Sequence, residues 1–324
     1  MVCADQLSRR LWRVGILGDE PPERVEVAGF SPLRPAIAVS GNRLVFQRPL
    51  SNSDIYRFVA GRPPEAVAAS SFSDWNPDLS PDGRRVAWAS GRGGEGDEIW
   101  LAAADGQDPA QLTHGPGLWQ GSPRWSPDGR RIAFDSHGED GRWDIWTIDT
   151  GGGAPRRLTN AANNNTPTWS LDGRFVYFSS DRTGSVTVWR VPSTGGAGEQ
   201  VTRAGGGRSQ EGPDGKTLFF QRDPLGASPL LAVSPAGGVE RAVLDCAPRC
   251  GYAVGAACIY HTACGGDPRA VRLSLLDPAT GRDRLLGWLD GPGMGLSVSA
   301  DGKTILYTKV VGEGSDLVLI ENFR

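Results

Sequence analysis

The stretch Ser122-Pro-Arg-Trp-Ser-Pro-Asp-Gly-Arg-Arg-Ile-Ala-Phe134 decides the fold, because near-copies of it recur along the chain. One strong copy begins at Asn76 and another at Thr166. Aligned on the turn Asp or its equivalent, seven copies fall near residues 42, 82, 128, 172, 214, 256 and 301. A repeat of roughly 41 to 46 residues without helical periodicity is typical of ring-shaped or stacked β architectures.

The centre of each strong copy predicts a tight turn between two strands. Proline presets the second position of a type I turn, and glycine closes the turn with a positive φ. Alternating apolar residues follow, then a polar loop, a third strand, a Gly-rich hairpin and a short fourth strand. The residues to which we assign this structural role are Asp82, Gly83, Asp128, Gly129, Asp172 and Gly173.

Four short strands bury too little apolar surface to offset the conformational entropy lost on ordering them, so one repeat cannot fold alone. Stacking repeats in a closed ring covers both faces of each sheet. We therefore predict an all-β fold, a single β-propeller over residues 1–324 with four-stranded antiparallel blades. Seven blades are preferred, six or eight stay open, and an N-terminal strand closes the last blade. The predicted blades are residues 33–73, 74–120, 121–164, 165–206, 207–248, 249–293, and 294–324 completed by 11–28.

Composition excludes some classes of partner. The chain carries 34 basic and 37 acidic residues, mixed along its length, for a formal net charge of −3. Without a basic stripe, this chain is not expected to bind nucleic acid. No apolar run approaches the roughly 18 to 20 residues that cross a bilayer. The N-terminus also lacks the apolar region of a secretory signal.

Two stretches resemble known families. The core Ser126-Pro-Asp-Gly-Arg-Arg-Ile-Ala-Phe-Asp-Ser136, with the following Asp144-Ile-Trp146, resembles the TolB-type, WD-like propeller repeat. The closing residues Gly314 to Arg324 resemble the C-terminus of bacterial CadC-type regulators. Those proteins join a winged-helix DNA-binding domain and a membrane helix to an extracytoplasmic propeller. The resemblance implies a periplasmic sensor or interaction region without its parent's DNA-binding and membrane segments, and it supplies no catalytic residues.

The loops that precede each first strand and follow each second strand are expected to gather on one face, around the mouth of the channel. Tryptophans beside amides and mixed charges on such a face suit a protein, peptide or glycan partner. Alternatively, Trp75 and Trp119 pack between blades and the other side chains are solvated. The candidate ligand-binding residues are Asp74, Trp75, Trp119, Gln120, His137, Asn164, Asp181 and Arg182.

The cysteines leave two questions open. Cys258, His261 and Cys264 have the spacing of a metal cluster, but in one strand Cys258 and Cys264 would lie about 20 Å apart. That separation is too long for a disulfide or a shared zinc, although a break at Ala263 would shorten it. Cys246 and Cys250 lie in a predicted loop and could pair in an oxidising compartment.

The motifs that carry chemistry elsewhere are not convincing in this sequence. The segment Gly91–Gly96 matches the dinucleotide pattern by letter, but strands flank it instead of a strand and a helix. No Gly-x-Ser-x-Gly elbow occurs. We therefore predict no catalytic residues, cofactor or metal, and a non-catalytic binding scaffold, in first place the sensor of a bacterial transcriptional regulator. The alternatives are a propeller that assists a peptidase or hydrolase and a TolB-like periplasmic interaction protein.

Overall fold

The computed structural model describes residues 1–5, 10–15, 21–25, 32–38, 42–94 and 96–323. This part of the chain consists of β-strands and one 3-10 helix (Gly91–Gly93), with no α-helix, so the predicted all-β class is confirmed. None of its elements is a helix with the length and apolarity that a membrane span requires. By internal contacts the chain forms two compact units, residues 1–52 with 311–324, and residues 53–310.

Unit one contains a three-stranded antiparallel sheet of β1 (Val2–Asp5), β2 (Arg10–Arg13) and β3 (Glu23–Arg24). In the same unit, β4 (Leu33–Ile37) pairs with the first residues of β5 (Leu44–Phe58). The buried core of this unit is Leu11, Val25, Leu44 and Phe46.

Unit two contains, among its described residues, five four-stranded antiparallel sheets and four strands of a five-stranded one, which we call sheet 6. The first strand of this unit that belongs wholly to it, β6 (Glu65–Ala68), is part of sheet 6, whose other strands are given after those of sheets 1 to 5. Sheet 1 is β7 (Asp74–Leu79), β8 (Arg85–Ser90), β9 (Glu98–Ala103) and β10 (Ala110–Gln111). Sheet 2 is β11 (Trp119–Trp125), β12 (Arg131–His137), β13 (Trp143–Asp149) and β14 (Arg156–Arg157). Sheet 3 is β15 (Asn164–Trp169), β16 (Phe175–Ser180), β17 (Thr187–Pro192) and β18 (Glu199–Gln200).

The remaining sheets follow the same order. Sheet 4 is β19 (Gly207–Glu211), β20 (Leu218–Gln221), β21 (Ser228–Val233) and β22 (Arg241–Ala247). Sheet 5 is β23 (Tyr252–Val254), β24 (Ile259–Thr262), β25 (Val271–Leu276) and β26 (Asp283–Leu289). Sheet 6 consists of β27 (Pro292–Val298), the first residues of β28 (Ile305–Ile320), the last residues of β5, and β6.

The first strands of the six sheets form a closed ring in unit two. Strand β7 contacts β27 and β11, β15 contacts β11 and β19, and β23 contacts β19 and β27. A separate apolar cluster fills each space between neighbouring sheets. Between sheets 1 and 2, for example, Ile99 packs with Ile132 and Phe134, and all three are fully buried. Each sheet is thus covered on both faces, which explains why the ring is stable where a single sheet is not.

The closing sheet differs from the sequence prediction. Strands of the N-terminal part do complete it, but they are residues 53–58 of β5 and β6, whereas the sequence assigned residues 11–28. Of that range, residues 16–20 and 26–28 lie outside the described chain. Residues 33–73 do not form one blade, because their strands divide between the two units. Unit two therefore contains six sheets, a number that the sequence left open, and not the preferred seven.

The repeat turns show why the quoted sequence recurs. In sheet 2 the Ser126 hydroxyl donates to Asp128 at 2.5 Å, and the same carboxylate accepts the Arg130 N–H at 3.1 Å. The hydrogen bond from Ser126 is the largest of the effects that lower the pKa of Asp128. Asp82 and Asp172 have the same arrangement. The glycines of these turns have φ near 70°: Gly83 (69°), Gly129 (67°) and Gly173 (68°).

Candidate functional site

The inner strands face the centre of the ring, and those of sheets 1 to 4 and sheet 6 are interrupted by a β-bulge. In sheets 1 to 3 a proline lies within the bulge, and a proline has no N–H to give to the strand ladder. The chain therefore departs from regular pairing and turns a new set of backbone positions toward the channel. The register shifts include those between Trp75 and Asp78, Gly121 and Arg124, Asn165 and Thr168, and Gly207 and Gln210.

One residue at each of these five bulges adopts a left-handed backbone, as does Cys250, which precedes the inner strand of sheet 5, and we call these six residues the channel ring. Five of them are not glycine, so each carries a conformational cost that the surroundings must offset. Such residues often cluster at ligand sites. The channel ring comprises, with φ in parentheses, Asn76 (52°), Ser122 (46°), Thr166 (52°), Arg208 (51°), Cys250 (57°) and Gly295 (113°).

Hydrogen bonds from the preceding sheet hold the channel ring in this conformation. The backbone N–H of Thr166 donates to Asp135 Oδ2 at 2.7 Å, and that of Arg208 donates to Ser179 Oγ at 3.2 Å. The N–H of Asn76 likewise donates to Oγ1 of Thr308 in sheet 6, at 3.2 Å. Each contact joins two sheets, so the ring positions depend on the closed circle.

The cavity inside the channel ring is small, about 30 Å³. Two half-buried arginines, Arg124 and Arg208, line it, and its lining contains no carboxylate. Arg208 donates from Nε to the Pro224 carbonyl at 2.7 Å, and its Nη1 contacts Cys250 Sγ. Burial lowers the pKa of Arg208. The other lining residues are Asn76, Ser122, Thr166, Pro167, Thr168, Ser209, Gln210, Cys250, Tyr252 and Leu296.

Two aspartates that do not line this cavity bond to the strands around it. Asp135 accepts the Thr166 N–H, and Asp78 accepts the Trp125 N–H at 2.9 Å and the Ser297 hydroxyl at 3.1 Å. Burial raises the pKa of both aspartates above the ordinary value of 3.8. Their oxygens are thus directed at the protein's own donors and hold neighbouring sheets together.

A wider opening, which we call the channel mouth, lies where the inner strands end in the repeat turns. Its volume is about 330 Å³, and all six sheets contribute residues to it. Arg124, Thr168, Gln210 and Leu296 line both the mouth and the inner cavity, so the two spaces adjoin. The remaining mouth residues are Asp78, Leu79, Pro81, Trp125, Pro127, Trp169, Leu171, Glu211, Ala253, Val254, Ser297 and Val298.

The ligand-binding residues predicted from sequence lie at the opposite ends of the inner strands from the mouth. Asp74 is fully buried and forms an ion pair with Arg92 at 2.6 Å. In sheet 3, Asn164 accepts a hydrogen bond from Arg182 at 2.8 Å, and it is also fully buried. These two pairs occupy equivalent places, and each ties the start of a first strand to the end of a second.

The other predicted residues are similarly engaged. The buried rings of Trp119 and His137 lie 5.0 Å apart. Gln120 is fully buried and donates to a backbone carbonyl of its own loop at 2.8 Å. Asp181 accepts two hydrogen bonds from the preceding loop, each 2.9 Å long, and Trp75 packs in the cluster between sheets 1 and 2. A ligand role for these eight residues stays a prediction.

The cysteine pairing differs from the prediction. Cys246 bonds to Cys264, with 6.1 Å between their Cα atoms, whereas Cys250 and Cys258 are free. The Cys246–Cys250 pair that the sequence left open does not form. Strand β24 ends at Thr262, so Cys264 lies past the strand and can reach Cys246 of sheet 4. Within the described residues, no group of three or more histidine, cysteine or acidic side chains could hold a metal ion.

The comparisons with known proteins agree with this architecture. Residues 76–245, more than half of the chain, match the family described as TolB beta propeller domain, PD40. The chain belongs to the TolB-type propeller family. A segment of 39 residues of this TolB-type chain is 46% identical to an uncharacterized protein of Agrobacterium fabrum, and covers 12% of this chain and 13% of that relative.

Two solved structures resemble this TolB-type propeller. TolB from Acinetobacter baumannii superposes with a TM-score of 0.58 at 18% identity, over 82% of this chain and 65% of that one. A puromycin-hydrolyzing peptidase of Mycobacterium tuberculosis superposes with a TM-score of 0.55 at 18% identity. That match covers 80% of this chain but 45% of the peptidase. At these identities the similarity shows a shared fold.

Proposed function

We propose that this TolB-type propeller is a non-catalytic binding domain that receives a peptide segment of a partner protein at the channel mouth. The mouth carries the proposal, because it is a concave opening of about 330 Å³ to which all six sheets contribute. Such openings with mixed apolar and polar linings are the usual ligand sites of proteins.

The side chains around the mouth favour a peptide. Leu171 is 48% exposed there, and buried Trp125 and Trp169 form part of the lining. Arg124 adds a guanidinium that can contact a main chain, whereas the Gln210 amide already bonds to the backbone of strand β23. An apolar side chain of the partner can pack on Leu171 while Arg124 orients its backbone.

The carboxylates of the mouth support binding more than catalysis. Glu211 accepts the Leu171 N–H at 2.5 Å and the Tyr177 hydroxyl at 3.0 Å. Asp78 is held by the two donors described above. Both acids therefore already have partners, so neither is aimed at a substrate as a general acid or base would be.

An array of peptides and glycans tests the proposal. The parent should bind a set of peptides, and Leu171→Asp should lose that binding because it places a charge on the apolar rim. Leu225→Asp is the matched control, since Leu225 is 69% exposed in a loop away from the mouth. Binding to glycans alone, or equal peptide binding by Leu171→Asp, would contradict the proposal. Loss in Trp119→Ala and Arg182→Ala instead would place the partner on the opposite face.

The wider setting is a further part of the proposal. A Cys246–Cys264 disulfide suits an oxidising compartment, which supports a periplasmic or extracytoplasmic location. A sensor role in a CadC-type regulator rests on the resemblance of the closing residues. A role beside a hydrolase is the second candidate, because the peptidase above contains more than a propeller's length of chain. The flanking gene sequence distinguishes the two roles. A winged helix with an apolar segment of about 20 residues would support the regulator, and an α/β segment with a serine elbow would support the hydrolase.

A further inference from the structure

We infer that the cavity inside the channel ring is a carboxylate site, which takes an acidic group at the end of the segment that enters through the mouth. The inference rests on the proposed function, because a chain docked at the mouth is what carries the carboxylate inward. It adds the chemistry of the ligand and the residues that recognise it.

The charge of the cavity is the first argument. Arg124 and Arg208 are its two cationic groups, and no acidic residue shares the lining. In the described chain, Arg208 forms hydrogen bonds to the Pro224 carbonyl and the Cys250 sulfur and no ion pair with a carboxylate. Arg124 donates from Nη1 to the Pro123 carbonyl at 2.7 Å. Enclosing a guanidinium without an anion is unfavourable, so this pair suits an incoming negative charge.

Unsatisfied polar groups at the same place are the second argument. Asn76 Oδ1 and Ser209 Oγ are buried without a hydrogen-bond partner, and each residue is 3% exposed. Both residues line the cavity. Buried polar atoms in proteins are nearly always paired, so the unpaired Ser209 hydroxyl indicates a missing acceptor. This hydroxyl can donate to a carboxylate oxygen, whereas the Asn76 nitrogen already donates to Ser122 at 3.4 Å and the Asn76 oxygen can only accept, so Ser209 carries this argument.

The aspartates nearby do not already occupy this role. Asp135 accepts a hydrogen bond from the Thr166 N–H, and Asp78 accepts hydrogen bonds from the Trp125 N–H and the Ser297 hydroxyl. Burial raises the pKa of both acids, and it outweighs the opposing attraction of Arg124 on Asp78 and of Arg208 and Arg124 on Asp135. The two other titratable groups of the lining are Cys250 and Tyr252.

The size of the cavity limits the ligand. A volume of about 30 Å³ admits a carboxylate group but not a whole amino-acid side chain. The rest of the ligand must therefore lie in the mouth, which adjoins the cavity through Arg124, Thr168, Gln210 and Leu296. A C-terminal carboxylate, or an acidic side chain at the tip of a loop, meets both conditions.

Acetate tests the cavity by itself. We expect sodium acetate, exchanged for sodium chloride at constant ionic strength, to raise the Tm of the parent saturably, and acetamide to have no effect. Arg208→Gln should raise the apparent Kd for acetate at least tenfold. Arg130→Gln is the matched control, because Arg130 is exposed in a repeat turn, and it should behave as the parent does. If Arg208→Gln does not fold, Ser209→Ala should weaken acetate binding about tenfold.

A second pair of probes distinguishes the source of the carboxylate. Acetyl-Gly-Gly with a free C-terminus should bind more tightly than acetate, and its C-terminal amide should not bind. Acetate binding without a gain for the dipeptide would assign the site to free small acids. Equal effects of acetate and acetamide, or of acetate on the parent and Arg208→Gln, would overturn the inference. Peptide-array binding lost in Leu171→Asp would then still support the mouth, so the two proposals fail separately.

Discussion

Sheets 1 to 3 and sheets 4 and 5 all place a left-handed residue at the channel ring, but with different side chains. In the first group Asn76, Ser122 and Thr166 occupy the channel ring, and each precedes a proline. In the second group Arg208 and Cys250 take these places without a proline. The left-handed position is therefore a requirement of the closed ring and not of the repeated sequence.

The turns differ in the same way. Sheets 1 to 3 close their first hairpin with a serine and an aspartate, whereas the hairpin of sheet 5 has a backbone bond from Gly255 to Cys258, 2.9 Å long. A disulfide joins sheets 4 and 5, and no disulfide occurs among the described residues of sheets 1 to 3. Where the repeat is degenerate, other contacts hold the same architecture. Four experiments break or sharpen this contrast.

Removing a core aromatic should have the largest effect, and it should be equal in the two groups. Phe134 of sheet 2 and Phe220 of sheet 4 are both fully buried between sheets. Phe134→Ala and Phe220→Ala should each lower the free energy of unfolding by about 3 to 5 kcal/mol, measured by urea denaturation. A loss below about 1 kcal/mol in one variant alone would mean that the groups differ in their packing as well.

Removing the disulfide between sheets 4 and 5 should lower the free energy of unfolding by about 3 kcal/mol, because the Cys246–Cys264 bond closes a loop with a sequence separation of 18. The variant is the double change Cys246→Ser and Cys264→Ser, followed by urea denaturation. Cys3→Ser is the control, since Cys3 is exposed and free, and it should leave stability unchanged. Equal stability of the double variant and the parent would contradict the assigned pairing.

Removing a turn aspartate in sheets 1 to 3 should lower the free energy of unfolding by about 1 kcal/mol. Asp128 accepts hydrogen bonds from Ser126 and from the Arg130 N–H, and Asp128→Ala deletes both. Arg130→Ala changes an exposed side chain of the same turn and should be nearly neutral. The measurement is again the free energy of unfolding, and a neutral Asp128→Ala would remove the turn from the explanation of the repeat.

The smallest effect concerns pH, and two aspartates should show opposite signs. The raised pKa of Asp135 means that the native state holds its proton longer than the unfolded state, so its contribution falls as pH rises above the ordinary 3.8. The free energy of unfolding of Asp135→Asn, relative to that of the parent, should therefore be higher at about pH 7 than at about pH 4. Asp128 has a lowered pKa, so its carboxylate stabilises the native state above pH 3.8. The free energy of unfolding of Asp128→Asn, relative to that of the parent, should therefore be lower at about pH 7 than at about pH 4. Unfolding curves at both pH values check the signs.

The sequence predicted what local chemistry controls. The Ser-Pro-Asp-Gly turns and the alternating second strands were readable because each depends on a few adjacent residues. The closing sheet was not, since Pro49 and Ser51-Asn52-Ser53 mark a break within the fifteen residues of β5 but do not show which strands each half pairs with. The Cys246–Cys264 bond joins different sheets and is equally non-local.

The candidate site was only partly readable. The residue before each repeat proline was a signal for the channel ring at Asn76, Ser122 and Thr166. No such signal marks Arg208 or Cys250, whose places follow from the ring itself. The predicted loop residues were identified by polarity alone, and polarity does not reveal that Asp74 and Asn164 are buried beside arginines.

The composition of sheet 6 bears on how the protein is made. Ile55 and Tyr56 contact Leu306 and Tyr307, so their partners leave the ribosome long after they do. At usual elongation rates that delay is on the order of ten seconds or more. During that time the edge of β5 is exposed in the nascent chain and can pair with a wrong strand or a chaperone. Translation speed between these segments should therefore influence the yield of native protein.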